Sequence, residues 1–373
     1  MALVIGPADA SVYRGTTLLA ERLNWLIFGA GAIGTYIGTN LIMHGQNVVF
    51  LEQPEATIHL KENGFHFNFR GQEHRILHPD VYSSLPEVLS LAKFDVAIFA
   101  LKSFDTHAAL ELLSPYSADL PPILCLQNCV ENEANLEGAL GKDKVIAGTV
   151  TTAIQRRAIG DIVLERQRGI GIAADHALSA QIAAAFTQAG LNAHLYPFAN
   201  AMKWSKMLTN LMANASCAIL DMTHGEVLHH PDLYRVEVEQ LREALAVMRA
   251  LQLKPVNLPG TPVVAFAWII SHLPPNLSQT FIARIAAQGR GQKMPSFHID
   301  LHSGRGRSEV EYLNGAVVRF GSNLHISTPV NQWLNQTLMR LVRGDIDIKE
   351  YSHKLNNYLL DLNASVRKCK SGY

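Results

Sequence analysis

The sequence predicts an α/β protein in which a doubly wound, mainly parallel β-sheet is followed by an all-helical second half. Three observations predict it. Between residues 23 and 150, short and continuously apolar runs alternate with helix-like stretches, the pattern of parallel strands buried on both faces and joined by crossover helices. After Pro197 the period changes: apolar residues recur at helical spacing and strand-like runs become few. With 48% hydrophobic and 17% charged residues among 373, the chain has apolar material for more than one core, which excludes a disordered protein.

The strand runs are residues 23–28, 47–51, 95–101, 123–126 and 145–150. Residues 160–174 read differently, as two short strands joined by a turn in an antiparallel extension. Helical spacing covers residues 199–220, 233–251, 263–272, 278–287 and 328–341. The Pro- and Gly-rich residues 254–262 and the Gly-rich 288–292 read as loops, and 345–373 as a helix followed by a disordered tail. The expected units are an N-terminal extension (1–22), a sheet domain (23–197), a helical domain (198–345) and a C-terminal helix and tail (346–373).

Lysine plus arginine total 32 and aspartate plus glutamate total 32, a balance that argues against a nucleic-acid or polyanion binder. A small anionic substrate remains compatible, because one or two local charges suffice for it. Cys125, Cys129, Cys217 and Cys369 form no CxxC pair and no disulfide framework, so a reducing, cytoplasmic setting is expected. The longest apolar stretch, residues 262–270, falls far short of the roughly 20 residues that span a bilayer. The first 22 residues lack a basic start and a useful apolar segment, so they read as a loose extension rather than a signal peptide. No membrane partner is expected, and a homodimer is left open.

Gly29-Ala30-Gly31-Ala32-Ile33-Gly34 is a GxGxxG string that directly follows the first strand and opens a helix. Gly45 suits a left-handed cap at that helix's end, and Glu52 stands 18 residues beyond Gly34, at the end of the second strand. This is the context of a dinucleotide fingerprint: glycines for the tight turn and for close approach of backbone N–H groups to a pyrophosphate. The alternative is a strand-to-helix turn without a ligand. A carboxylate at Glu52 accepts from ribose hydroxyls and repels a 2′-phosphate, and Gln53, Pro54 and Glu55 bring no cation, which leans towards NAD(H). The next basic residue is Lys61.

Lys206, Asn210 and Asn214 recur at i, i+4 and i+8, which places an amine and two amides on one face of the first helix of the second half. Such a stripe at a domain junction suits a polar substrate; a solvated face is the bland alternative. His298 and His302 also stand at i, i+4, without an HExxH pattern or a Cys/His partner set, so surface or interhelix histidines are expected and no metal. The run Gly304-Arg305-Gly306-Arg307 reads as an exposed turn.

GAGAIG, the element FALKS, the strand end LQNC, the helix WSKMLTNLMANA and the segment SEVEYLNG occur in the order seen in ketopantoate reductases, and the chain resembles that family over roughly residues 23 to 340. The resemblance implies an N-terminal Rossmann domain, a helical domain, an active site between them, and reduction of 2-dehydropantoate (ketopantoate) to pantoate with NADPH. It implies that Lys206 is the general acid and that Asn210 and Asn214 hold the substrate. It further implies that Glu309 assists binding and catalysis, that Ser296 meets the substrate carboxylate, and that Lys102 and Asn128 face the nicotinamide.

This sequence departs from the family pattern in three ways. Cys129 stands where QNG is usual, Gln53 stands where a 2′-phosphate partner is usual, and the chain is longer, with surplus at the N-terminus, residues 253–292 and the C-terminus. If position 129 needs a positive φ, the cysteine implies an adjusted turn. The insertion leaves a paralogous reductase of another 2-keto acid as an alternative, and a non-catalytic NAD(H)-binding redox-sensing module is the alternative of another class.

Overall fold

Strand β1 (Asn24–Phe28) lies inside the main sheet with four of its five residues buried, as its unbroken apolar run requires. The structure is a computed structural model that describes residues 22–69, 71–290 and 294–371. Nearly all of the expected N-terminal extension therefore lies outside the described residues. After β1 come α1 (Ala32–Met43), β2 (Asn47–Leu51), α2 (Pro54–Asn63), β3 (Phe65–Phe69), β4 (Gln72–Ile76) and β5 (Asp80–Tyr82). Next are α3 (Leu85–Leu91), β6 (Val96–Phe99), α4 (Thr106–Leu113), β7 (Ile123–Cys125), α5 (Asn132–Leu140) and β8 (Val145–Val150). The sheet-bearing half ends with β9 (Ala153–Ala158), β10 (Asp161–Arg166), β11 (Ile170–Ala173), α6 (Ser179–Gln188) and β12 (Ala193–Tyr196).

The main sheet has the order β12-β11-β8-β7-β6-β1-β2-β5, and β11 against β8 is its antiparallel pair. Successive strands are added on one side of β1 up to β5 and then on the other from β6 onward. That reversal opens a crevice beyond the carboxyl ends of β1 and β6, where doubly wound sheets bind ligands. Alternation along β1 supplies two cores: Trp25 and Ile27 enter one, Leu26 and Phe28 the other.

The 160–174 reading needs correction. β10 does form an antiparallel pair, but with β9 before it, and β11 returns to the main sheet instead. β10 also pairs parallel with β3, completing a second sheet in the order β4-β3-β10-β9. Spacing did not reveal this sheet because strands such as Gln72–Ile76 are largely polar and solvent-facing.

The second half is helical: α7 (Ala199–Leu211), α8 (Asn214–Leu220), α9 (His224–His229), α10 (Pro231–Ala250) and α11 (Val263–His272). It continues with α12 (Pro275–Arg290), α13 (Ser296–His302), α14 (Val310–Asn323), α15 (Pro329–Arg343) and α16 (Leu355–Ser371). Local chemistry sets several ends: Thr223 and Glu226 form a capping box before α9, Pro231 and Pro329 open α10 and α15, and Gly344 at φ 77° closes α15. A third core fills this half. No helix of the described residues is long and apolar enough to cross a membrane.

Three helical expectations change. Residues 199–220 are two helices, broken where Ala213 adopts φ 59°; its N–H donates to Glu237 Oε2 at 2.6 Å, so a buried carboxylate from α10 holds the break. Residues 288–290 belong to α12, while 291 and 292 lie outside the described residues. The C-terminal basic segment stays helical up to Ser371 instead of becoming a tail.

Candidate active site

The glycine motif sits between β1 and α1. Gly29 has φ +88°, and a Cβ on Gly34 would lie 2.0 Å from the Gly29 carbonyl oxygen, so only glycine lets the helix close onto the strand here. A Cβ at Gly31 would meet nothing within 4 Å: the N-terminus of α1 opens onto free space. Gly31 caps α1 without a side-chain hydrogen bond and no acid stands in the first turn, which leaves the first N–H groups of the helix for an anion. Glu52 closes the cradle. Its Oε1 accepts from Ala30 N–H at 2.6 Å and its Oε2 from Gln53 N–H at 2.8 Å, so the acid expected to meet a ribose also braces the glycine loop. A carboxylate has about four lone-pair sites, so acceptor capacity remains for sugar hydroxyls. The cradle fits a dinucleotide.

Helix α7 is fastened to the sheet by a residue that sequence reading did not single out. Lys203 is 3% exposed, and its ammonium lies 2.6 Å from Glu133 Oε1 on α5. It also donates to the carbonyls of Gln127 at 2.6 Å and Gly148 at 3.1 Å. Burial, the largest single influence, works to lower its pKa, but Glu133, with Cys125 and Cys129 beside it, leaves the ammonium above its ordinary value. The sequence signal was there: a second lysine, three residues before Lys206, in an apolar helix.

One turn further on, Lys206, Asn210, Asn214, Asn128 and Ser296 line a single cavity of about 320 Å³, which reaches Ile33 at the start of α1. Asn210 donates to Asn128 Oδ1 at 3.1 Å, joining helix to sheet edge. Asn214 donates to the Asn210 carbonyl and to Ser296 Oγ, both at 3.2 Å, while its own Oδ1 accepts from Phe297 N–H at 3.1 Å. The expectation of one continuous helical face is corrected, because the break at Ala213 makes Asn214 the first residue of α8. The three polar residues nevertheless meet, since the break turns the chain while that hydrogen bond bridges it.

Lys102 and Glu309 do not line this cavity; they face each other beside it. Lys102 Nζ lies 2.6 Å from Glu309 Oε2 and 3.6 Å from Asp300 Oδ1, and Ser103 Oγ donates to Glu309 Oε1 at 3.4 Å. Burial works to lower the Lys102 pKa, but Glu309 and then Asp300 oppose it and leave the ammonium raised. Asp300, pushed up by its own burial against the pull of Lys102, accepts from the Glu309 backbone N–H at 3.2 Å and so anchors the main chain from which that carboxylate projects. Asn132 ties the pair to the cavity wall, donating to Ser103 Oγ at 3.0 Å and to the Asn128 carbonyl at 2.7 Å.

Cys129 corrects a further expectation. It does not adjust the turn but takes φ 76° itself, 3% exposed, with its sulfur 3.4 Å from Ser103 Oγ. Burial pushes this thiol well up, which makes it inert. His298 and His302 have a partner that spacing could not show: His298 Nε2 lies 2.8 Å from Asp221 Oδ1, with the two rings 4.2 Å apart. The hydrogen bond from His298 holds Asp221 below the ordinary carboxylate range.

Arg168, in the connection between β10 and β11, is a second residue that sequence reading passed over. It lines the cavity with Lys206, and its Nη1 donates to the Thr151 carbonyl at 3.2 Å.

Comparison with known proteins places these features in context. Residues 25–175 match the profile of ketopantoate reductase PanE/ApbA, and residues 199–343 match that of its C-terminal domain. The chain is 27% identical over 330 residues to 2-dehydropantoate 2-reductase of Halobacterium salinarum, covering 86% of this chain and 99% of the relative. It is 26% identical over 317 residues to the enzyme of that name from Lactococcus lactis, covering 83% and 95%. Among solved structures it is similar to a PanE/ApbA family ketopantoate reductase from Ralstonia eutropha, with TM-score 0.73, 26% identity and coverage of 87% and 99%. A ternary structure of D-mandelate dehydrogenase with NADH and anilino(oxo)acetate shares the fold at TM-score 0.68 and 21% identity, over 86% of this chain and 99% of that one. The two profile matches together span most of both halves, and the chain belongs to the ketopantoate reductase PanE/ApbA family.

Proposed function

We propose that this protein reduces 2-dehydropantoate to pantoate, using a reduced nicotinamide dinucleotide held at the glycine cradle. One observation carries the reading: Lys206, Asn210, Asn214 and Ser296 line one cavity together with Ile33 of the helix that opens on that cradle. The family and the names of the relatives from Halobacterium and Lactococcus point to the same substrate.

Gly29, Gly31, Ala32, Ile33, Gly34 and Glu52 would hold the dinucleotide, with Asn128 and Lys102 on the nicotinamide side. When bound, it supplies a hydride, which adds to the substrate's carbonyl carbon as the nicotinamide is oxidised. Negative charge then develops on the carbonyl oxygen, where the Lys206 ammonium stabilises it and donates the proton that completes the alcohol. Asn210 and Asn214 orient the keto acid through neutral hydrogen bonds. Ser296 is assigned to the substrate carboxylate. Glu309 takes a supporting role, its carboxylate held by Lys102 and Ser103 at the cavity's edge.

NADH is the proposed partner of the two dinucleotides, because Glu52 sits where a 2′-phosphate would meet a negative charge. Its neighbour in sequence is the neutral Gln53, and the nearby Lys61 ammonium lies over the Tyr82 ring, 5.0 Å from its centroid. The division into a sheet domain at 23–197 and a helical domain at 198–345 belongs to the same reading, as does a soluble, cytoplasmic setting. The test is oxidation of NADH and of NADPH, assayed separately with 2-dehydropantoate. Turnover dependent on the keto acid supports the reading, and binding of the dinucleotide with no turnover of any 2-keto acid would favour the non-catalytic module.

A further inference from the structure

His298 and His302 stand one turn apart on α13, so both rings leave the same side of that helix. Spacing alone gave them no partners, but the fold brings three more polar groups alongside. Helix α8 ends at Asp221, whose φ of 54° and ψ of 45° are left-handed, a conformation aspartate tolerates better than most residues. His298 Nε2 lies 2.8 Å from Asp221 Oδ1. The connection between α15 and α16 is laid against the same helix end, the His353 backbone N–H donating to the Leu220 carbonyl at 2.8 Å. There His353 Nε2 stands 3.9 Å from Asp221 Oδ2, and Ser352 Oγ donates to that oxygen at 3.5 Å.

Asp221, His298 and His302 each offer one metal-binding atom, and the three atoms all lie within 4.8 Å of one another. A tetrahedral centre with metal–ligand bonds of about 2.0–2.2 Å holds its ligand atoms roughly 3.4 Å apart. The contact between His298 and Asp221 must open to reach that spacing and the wider ones must close, each by about an ångström. Side-chain torsions supply such a shift, since His302 is exposed and Asp221 only partly buried. The same exposure gives an ion its way in. Two imidazoles and one carboxylate suit zinc and its neighbours in the transition series, whereas magnesium and calcium take oxygen ligands. The hydrogen bond from His298 holds the Asp221 carboxyl low, so the anion is present at neutral pH.

We propose that Asp221, His298 and His302 form a binding site for a divalent transition-metal ion of the zinc class, with His353 beside its fourth position. The ion joins α13 to the C-terminal end of α8. At the N-terminal end of α8 the two helices are already tied, because Asn214 donates to Ser296 Oγ at 3.2 Å and accepts from the Phe297 N–H at 3.1 Å. With the ion bound, α13 is held to both ends of α8. None of the three ligands lines the active-site cavity, so the ion holds helices together and takes no part in hydride or proton transfer. The assignment does not rest on the reductase reading.

The test is calorimetric titration of Zn²⁺ into the full chain, freed of metal by a chelator, at about pH 7.5, where imidazoles are mostly neutral and able to ligate. Saturation by one ion per chain is expected, with Mg²⁺ unable to compete, and Zn²⁺ should raise the melting temperature because it binds the folded chain. Co²⁺ in its place should give the visible spectrum of tetrahedral nitrogen and oxygen ligation, without a thiolate band. His302→Ala, at an exposed position, and Asp221→Asn, which keeps the shape of the side chain, should each weaken Zn²⁺ binding by roughly tenfold to a hundredfold and remove the rise in melting temperature. His107→Ala, which deletes an exposed histidine paired with Glu111, should leave both in place. A thiolate band in the Co²⁺ spectrum would move the metal to a cysteine and overturn the site. So would titration without saturation at one equivalent, an equal loss in His107→Ala, or unchanged binding in His302→Ala and Asp221→Asn, any of which would leave His298 and Asp221 as an ion pair at the surface.

Discussion

The Lys203 ammonium lies 2.6 Å from the Glu133 carboxylate in a site that water hardly reaches, and this ion pair fastens the first helix of the helical half to the sheet. Lys206 follows one turn later on the same helix, so the pair sets where the proposed proton donor stands. Leaving one partner of such a pair buried alone costs about 3–5 kcal/mol, whereas replacing both with apolar groups is often neutral. Lys203→Met is therefore expected to lower unfolding free energy by that amount in urea titration, and Lys203→Met/Glu133→Leu to recover most of it. A double variant no more stable than Lys203→Met would show that the pair is not what holds the helix.

Lys206 is expected to act in the chemical step. Lys206→Ala should lower kcat by roughly 10²–10⁴, the usual contribution of a positioned proton donor, with the fold retained. Far-ultraviolet circular dichroism checks the fold, and single-turnover oxidation of the dinucleotide checks the step. Unaltered turnover would remove this lysine from the mechanism.

Glu52 is expected to set dinucleotide preference. The wild-type chain should favour NADH in kcat/KM, and Glu52→Ser should shift the ratio towards NADPH by roughly tenfold, equivalent to about 1.4 kcal/mol. Because Glu52 also accepts from the N–H groups of Ala30 and Gln53, some loss with both dinucleotides should accompany the shift. A wild-type preference for NADPH would contradict the assignment.

Stability should fall as pH rises through the range in which a buried acid ionises. Burial pushes Glu237 up from 4.5 to about 7, although Ser216, Ala213 and Gln240 all donate to it. Between those values the folded state binds more protons than the unfolded one, so the stabilisation is fully present below about pH 4.5 and is lost as pH rises through about 7. The shift corresponds to something on the order of 3 kcal/mol. Glu237→Gln keeps the hydrogen-bonding shape and should flatten this slope in urea titrations from pH 5 to 8. Glu243, also pushed up to about 7 by burial, will leave a residual slope of the same sign. An unchanged slope in Glu237→Gln would show that Glu237 does not ionise in this range.

Much of the architecture was legible because its causes are local. The run Asn47–Leu51 and the run Val145–Val150 form strands with the bounds their composition indicated, and Val263–His272 forms the helix its spacing indicated. The glycine string was equally legible, since a positive φ at Gly29 and the contact of Gly34 with Gly29 are demands on residue type. Residues 65–76 were not legible as strands. Their partner β10 lies far along the chain, and their polar faces leave little periodicity.

By itself the sequence determined the doubly wound sheet, the helical second half, the dinucleotide cradle and the set of polar residues around Lys206. All of these follow from residue types and short spacings. Only the tertiary structure decided how those residues meet. The break before Asn214 is held by Glu237 from another helix, Lys102 is joined to Glu309, and Arg168 reaches the cavity that Lys206 lines. The reason is physical. A buried carboxylate, an ion pair and a cavity wall are each completed by side chains from distant parts of the chain, and no local periodicity encodes who those partners are.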